Sequence, residues 1–389
     1  MILSLERLAR HTVVAGATGS GKTETALRII YALAKSTRLP LFYLDGKGDR
    51  ANAQRFCALM QLAGRQPVVF PDAGFDGWRG SPGDLQNRLL EVVGLPSEGD
   101  AVWYRYVASL TLELACAHPD GPPTNARALV DRLDLDTLKA AHVGNRDTAA
   151  LTREKVADVR LRYASFFGQV NGALDGHWAW EDTNAAYLLL PGLARKDERN
   201  ALARFLFEDF AHYFTTRKPA GQPCLLVVDE FSAIAEGGAM AERIEQARGF
   251  HAALVLIPQV IAGMGGPEQA ARILGNVDTI LLHRTNTPEE FADLAGTTHV
   301  IEESHHTQNK YASGEGSSRE QHQRKIDLNH ARSLLTGTAY AISHGRALKT
   351  RVTRAPNPAA SQSRPALPPP NARRTPPTPG DHHGPNLPY

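Results

Sequence analysis

The sequence predicts an α/β fold, a parallel sheet with helices on both faces, and three observations predict it. The segment GATGSGKT at 16–23 follows the apolar run His11-Thr12-Val13-Val14-Ala15 and precedes apolar residues at helical spacing, Ala26, Leu27, Ile30 and Leu33. Short apolar runs of strand length recur at 39–44, 67–70, 185–190, 224–228, 253–257 and 279–282. Helical patterns separate them, as at 51–63, 198–214 and 240–249. Continuous apolar runs suit strands buried on both faces, and strand–helix alternation suits parallel pairing.

The first block, residues 1–75, reads strand, loop, helix, strand, helix, strand. Its loop fits the pattern G-x-x-x-x-G-K-[ST], with Gly16, Ala17, Thr18, Gly19, Ser20, Gly21, Lys22 and Thr23 in order. Backbone N–H groups and a helix N-terminus together make an anion site. The alternative, a glycine turn that binds nothing, lacks a reason for the strand before it and the helix after it. A nucleoside triphosphate is the expected ligand. The next strand ends in Asp45-Gly46-Lys47-Gly48-Asp49.

Residues 76–183 change character. Strand-like runs disappear, Gly and Pro punctuate, and helical periodicity covers 84–93, 101–117, 126–133 and 153–168. An all-α insertion is expected here. The α/β pattern resumes over 184–354, with 302–325 polar and aperiodic, expected as a mobile loop, and 337–352 expected as a closing hairpin. From Ala355 to Tyr389 the chain is rich in Pro, Ser, Arg and Asn and is expected to be a disordered tail, solvated or used for docking.

Composition narrows the class. A net charge of +2 gives no overall nucleic-acid footprint, so such a partner must be met by a local patch. Cys57, Cys116 and Cys224 form neither a disulfide framework nor a metal knuckle, which points to a reduced, cytoplasmic setting. No stretch approaches the ~20 apolar residues of a spanning helix, and the first residues are not a signal peptide.

A second motif completes the chemistry. Leu225-Leu226-Val227-Val228 ends in Asp229-Glu230. Mg²⁺ needs a hard carboxylate oxygen near the β/γ-phosphates, which a strand beside the phosphate-loop strand can deliver. Asp229, with the Thr23 hydroxyl, is the expected Mg²⁺ pair, and Glu230 is placed to orient or deprotonate water. Gln259 ends the next strand, where an amide can sense the γ-phosphate. By spacing alone Arg248 is a helix C-terminal arginine favoured by the dipole. A small-molecule kinase fits poorly, since an acid pair and a strand-end Gln suit attack by water.

These residues together, GATGSGKT, Asp-Gly-Lys-Gly-Asp at 45–49, VVDEF at 227–231, Ile244-Glu245-Gln246-Ala247-Arg248, Ile257-Pro258-Gln259, Ile273-Leu274-Gly275-Asn276 and Thr287-Pro288-Glu289-Glu290-Phe291, resemble the HerA–FtsK group of ring ATPases. Within it the sequence is similar to TraG/TraD-like conjugative coupling proteins. The resemblance implies a RecA-like core, a hexameric ring with ATP at subunit interfaces, and DNA as cargo, single-stranded ahead of duplex. It implies that Arg248, 18 residues after Glu230 and 11 before Gln259, is a trans-acting arginine. It also implies catalytic roles for Lys22, Glu230, Arg248 and Gln259, with ATP and Mg²⁺ as cofactors. Relaxase or secretion-system components are the implied partners, and the helical insertion would receive the relaxase–DNA substrate. Alternatives are a low-turnover adaptor for a relaxase or partner ATPase, and an FtsK-like DNA pump. Only fifteen residues precede the phosphate loop, so a soluble variant, one part of a split system or an incomplete product is expected, recruited to the inner membrane face by partners. Arg153, Lys155, Arg160 and Arg162, and Lys310, Arg319, Arg324 and Lys325, are basic clusters read as solvated faces ahead of DNA contacts.

Overall fold

Alternate residues of the parallel strands enter two different hydrophobic cores, and this sets the architecture. The computed structural model describes residues 10–93, 102–190, 196–235, 240–308 and 311–357 of the 389. Its strands are β1 (Thr12–Ala15), β2 (Leu41–Asp45), β3 (Val68–Phe70), β4 (Ala185–Leu189), β5 (Cys224–Asp229), β6 (Ala252–Ile257), β7 (Thr279–Leu282), β8 (Thr297–Gln308), β9 (Tyr311–Arg324), β10 (Thr338–Ser343) and β11 (Arg346–Arg351). Among the described residues nine of them form one sheet in the order β11-β10-β7-β1-β6-β5-β2-β4-β3. The run from β7 to β3 is parallel, and β10 and β11 add on antiparallel as the expected closing hairpin.

On one face Val14, Tyr43, Tyr187, Val227 and Val255 pack under α1 (Lys22–Ser36) and α2 (Arg50–Leu62). On the other, Val13, Phe42, Leu188, Leu226 and Leu254 join a larger cluster. That cluster includes α8 (Lys196–His212) and the segment between β3 and β4, which carries α3 (Pro82–Val93), α4 (Val102–Cys116), α5 (Ala126–Arg132), α6 (Leu135–Ala141) and α7 (Arg153–Val170). Bridges at Phe75–Trp178 and Asp76–Asp175 close the base of the insertion. Its helices share the sheet's core rather than building a separate one: Leu89, Leu112 and Phe166 lie in the same cluster as Phe42. A buried ion pair, Arg88 of α3 with Asp209 of α8, ties the two parts together. Trp180 Nε1 donates to the same carboxylate at 2.8 Å and Arg217 Nη2 at 2.7 Å.

Three expectations are corrected. The acidic strand β5 does not lie beside β1, because β6 sits between them. Residues 302–325 are not an irregular loop: β8 and β9 pair antiparallel from Thr297–Arg324 outward as a separate two-stranded sheet. Backbone pairing needs no apolar periodicity, which is why the sequence pattern is silent there. The tail begins later than Ala355. Ala355 is buried and its N–H donates to Glu24 at 2.8 Å, and the first compact unit runs to Pro356. Lys310 and residues 358–389 lie outside the described residues, as does the side chain of Arg319. No helix among the described residues is long and apolar enough to cross a membrane.

Candidate active site

The loop between β1 and α1 is shaped by its glycines. Gly16 has φ +148°, and a Cβ there would meet His283 Cβ at 2.8 Å. Gly21, with φ +108°, caps α1 in a left-handed conformation open to few other residues. The loop is fixed from the β7 side, where Ala17 N–H donates to Arg284 O at 2.8 Å. Lys22 is buried and its ammonium donates to Gly16 O at 2.5 Å and Ala17 O at 2.9 Å. Burial, and then the neighbouring Lys47, push its pKa down.

Thr23, in the first turn of α1, is carried across the end of β6 to β5, where its hydroxyl donates to Asp229 Oδ2 at 3.1 Å. Asp229 is 1% exposed and accepts three further bonds, from Tyr43 OH, Lys47 Nζ and Glu230 N–H, each at 2.9 Å. Glu230 follows with φ +62°, a strained backbone for a residue with a side chain. Its carboxylate accepts from Ser232 Oγ at 3.0 Å and faces Gln259 Nε2 at 3.4 Å, past the end of β6. Lys22, Thr23, Asp229, Glu230 and Gln259 therefore meet at the carboxyl edge of the sheet, the edge where parallel α/β sheets bind ligands.

Arg248 is not among them. It sits in the last turn of α9 (Met240–Gly249), on the segment that enters β6 at Ala252. The six residues of β6, about 20 Å at ~3.3 Å per residue, separate that end from the Gln259 end. Arg248 is exposed and has no ion pair among the described residues. Its helix is pinned by His11, just before β1. Leu254 N–H donates to Nδ1 at 3.2 Å, so Nε2 carries the proton and donates to Ile244 O at 2.9 Å. Burial, with Arg248 nearby, lowers the His11 pKa to about 4.

Three contributors have no role in the sequence reading. Lys47 belongs to the quoted Asp-Gly-Lys-Gly-Asp loop, but its reach to Asp229 depends on β2 pairing with β5, which the sequence does not reveal. Desolvation alone would lower its pKa, but Asp229 and Glu230 outweigh that and raise it. Tyr43 is one apolar-run aromatic among many until β2 is placed. His283 directly follows β7 and faces Thr338 O through Nδ1 at 3.0 Å, leaving Nε2 to accept from the Thr25 hydroxyl at 2.9 Å. The basic clusters are partly occupied within the chain. Arg153 pairs with Asp136 and Arg324 with Asp293, Lys325 donates to Gly345 O, and Lys155 lies over the Trp103 ring.

The donor set fits Mg²⁺ and a nucleotide. A hydroxyl and a carboxylate supply hard oxygens, and the buried Ser20 Oγ has no partner among the described residues. Backbone N–H groups converge at the helix N-terminus beside them.

Residues 223–337 match the family model described as the TraM recognition site of TraD and TraG, a segment holding Asp229, Glu230, Arg248 and Gln259. No curated protein matches the chain. Among solved structures, the bacterial conjugative coupling protein TrwBdeltaN70 in its unbound monoclinic form is similar, with a TM-score of 0.65 at 15% identity, covering 90% of this chain and 86% of that one. The plasmid coupling protein TrwB in complex with ADP and Mg²⁺ gives 0.63 at 14%, covering 90% and 87%. VirB4 of Thermoanaerobacter pseudethanolicus gives 0.57 at 12%, covering 90% of each. The α/β P-loop fold and the resemblance to TraG/TraD-like proteins are borne out.

Proposed function

We propose that this chain is an ATP-hydrolysing motor of the TraG/TraD kind, coupling nucleotide turnover to DNA movement in conjugative transfer. One observation carries the reading: five of the expected groups meet at one sheet edge while Arg248 stands exposed at the other. A site built this way is complete only when a second copy brings its own arginine, as in a head-to-tail ring. Likeness in fold to the conjugative coupling protein TrwB across nine-tenths of the chain supports the coupling-protein reading.

On this reading the loop 16–21 and Lys22 hold the phosphates, and Thr23 and Asp229 hold Mg²⁺. The bound ion would neutralise charge on the β/γ-phosphates. Glu230 takes a proton from the attacking water, which Gln259 orients, and Arg248 serves the neighbouring subunit. The strained Glu230 backbone holds its carboxylate ready for that role. The cargo is DNA, single-stranded ahead of duplex, and the partners are relaxase or secretion-system components. Residues 223–337 offer one docking surface by analogy with the TraM recognition site. The chain would work on the cytoplasmic side of the membrane.

Mg-ATPase rate per subunit, measured against protein concentration with single-stranded and duplex DNA added separately, tests this. The rate is expected to rise with both. A rate flat across both would exclude the ring motor and favour a low-turnover adaptor.

A further inference from the structure

Asp229 has no free acceptor site. A carboxylate offers about four lone-pair positions, and here Oδ1 accepts from Lys47 Nζ and Glu230 N–H while Oδ2 accepts from Thr23 Oγ1 and Tyr43 OH. A cation, or a water bound to it, can reach Asp229 only if one donor leaves.

The four donors differ in their freedom to do so. Glu230 N–H belongs to the adjoining peptide and is fixed by the backbone. Tyr43 is fully buried and stacked on Tyr187 with ring centroids 4.8 Å apart, so its hydroxyl has nowhere to go. Thr23 can keep its bond, since a hydroxyl that donates its proton still has lone pairs for a metal. Lys47 is different. Its side chain is 37% exposed, on a flexible four-carbon stem.

The loop beneath Lys47 is rigid enough to hold it at the brink. Asp45 accepts from Lys47 N–H and Asp49 N–H at 2.9 Å each and from Tyr187 OH at 2.8 Å. Gly46 N–H donates to Asp229 O at 3.0 Å. The backbone is therefore tied to the end of β5, and only the ammonium is free to swing. It also stands 4.0 Å from Glu230 Oε2, so a single charge bridges both acids.

We propose that Lys47 is an exchangeable counter-ion of Asp229 and Glu230, which a divalent cation must displace from Asp229 Oδ1 when nucleotide binds. This rests on the nucleotide reading above and deepens it. Lys47 holds the acid pair in place without metal and sets the cation concentration at which the site loads.

The test is binding rather than turnover. Fluorescent methylanthraniloyl-ADP is held at fixed concentration with the full chain, and Mg²⁺ is titrated. A charge-assisted hydrogen bond contributes about 1.5–3 kcal/mol, so Lys47→Met should lower the Mg²⁺ midpoint by roughly 10- to 100-fold. Lys47→Arg keeps the competing charge and should leave the midpoint near wild type. Lys47→Gln, a second neutral variant, should behave as Lys47→Met. An unchanged or raised midpoint in the neutral variants would overturn the exchange. So would failure of both neutral variants to fold while Lys47→Arg folds, because the pair would then be obligatory. Wild type that binds no nucleotide at any Mg²⁺ concentration would instead remove the nucleotide reading, and this inference with it.

Discussion

The Thr23 hydroxyl donates to Asp229 Oδ2 at 3.1 Å although 206 residues separate the two. One bond thus joins the phosphate loop to the acidic strand across the intervening β6. Thr23→Val preserves volume and removes the donor. Mg²⁺-dependent turnover should fall by about 10²-fold, the scale of ~3 kcal/mol in a barrier, while the melting temperature moves little. Steady-state rate against Mg²⁺, with a melting curve beside it, checks this.

Glu230 and Lys22 should fail differently. Glu230→Gln keeps the shape at φ +62° and removes the base, so turnover should drop by roughly 10²–10⁴ with nucleotide affinity nearly unchanged. Lys22→Ala should lose affinity as well. Equilibrium binding of a fluorescent nucleotide separates the two outcomes.

Asp209 holds the insertion to the sheet. Asp209→Ala leaves Arg88, itself 0% exposed, as an uncompensated buried charge and should destabilise the fold by about 3–5 kcal/mol. Replacing both, Arg88→Met with Asp209→Leu, should recover only the Arg88 share of that, because Arg217 and Trp180 Nε1 lose the same carboxylate. Urea unfolding of the single and double variants measures the difference.

The site was legible in the sequence to the extent that its groups end apolar strands. Asp229, Glu230 and Gln259 follow runs of buried aliphatics, and the phosphate loop has strand before it and helix after it. What was not legible depends on which strands are neighbours. Lys47 and Tyr43 reach Asp229 because β2 pairs with β5, and Asp229 reaches Thr23 although β5 is not next to β1. The burial of Arg88 and Asp209 left no mark in the sequence, because nothing local shows that α8 is covered on nearly every side. The hairpin of β8 and β9 is polar, so its strands leave no alternating apolar signature. The far-edge position of Arg248 likewise needed the fold.

Acid should weaken the fold through His11. Its pKa is about 4 when folded, against 6.5 for an unperturbed histidine, chiefly from burial. Between those values the unfolded chain binds a proton that the folded chain does not. Stability from this group is therefore full above pH 6.5 and is lost as pH falls toward 4, by up to ~3 kcal/mol. Melting temperatures from pH 7.5 to 5 should decline, and less steeply in His11→Gln than in wild type.

The central claim is that each catalytic site takes its arginine from another subunit. Mixing two inactive variants, Lys22→Ala and Arg248→Ala, tests it most directly. With random assembly about a quarter of the interfaces in an equimolar mixture pair an intact phosphate loop with an intact arginine from its neighbour. ATPase activity should therefore return to about a quarter of wild type, although each variant alone is inactive. If the mixture stayed as inactive as its components while both variants still assembled together, Arg248 would not act across an interface.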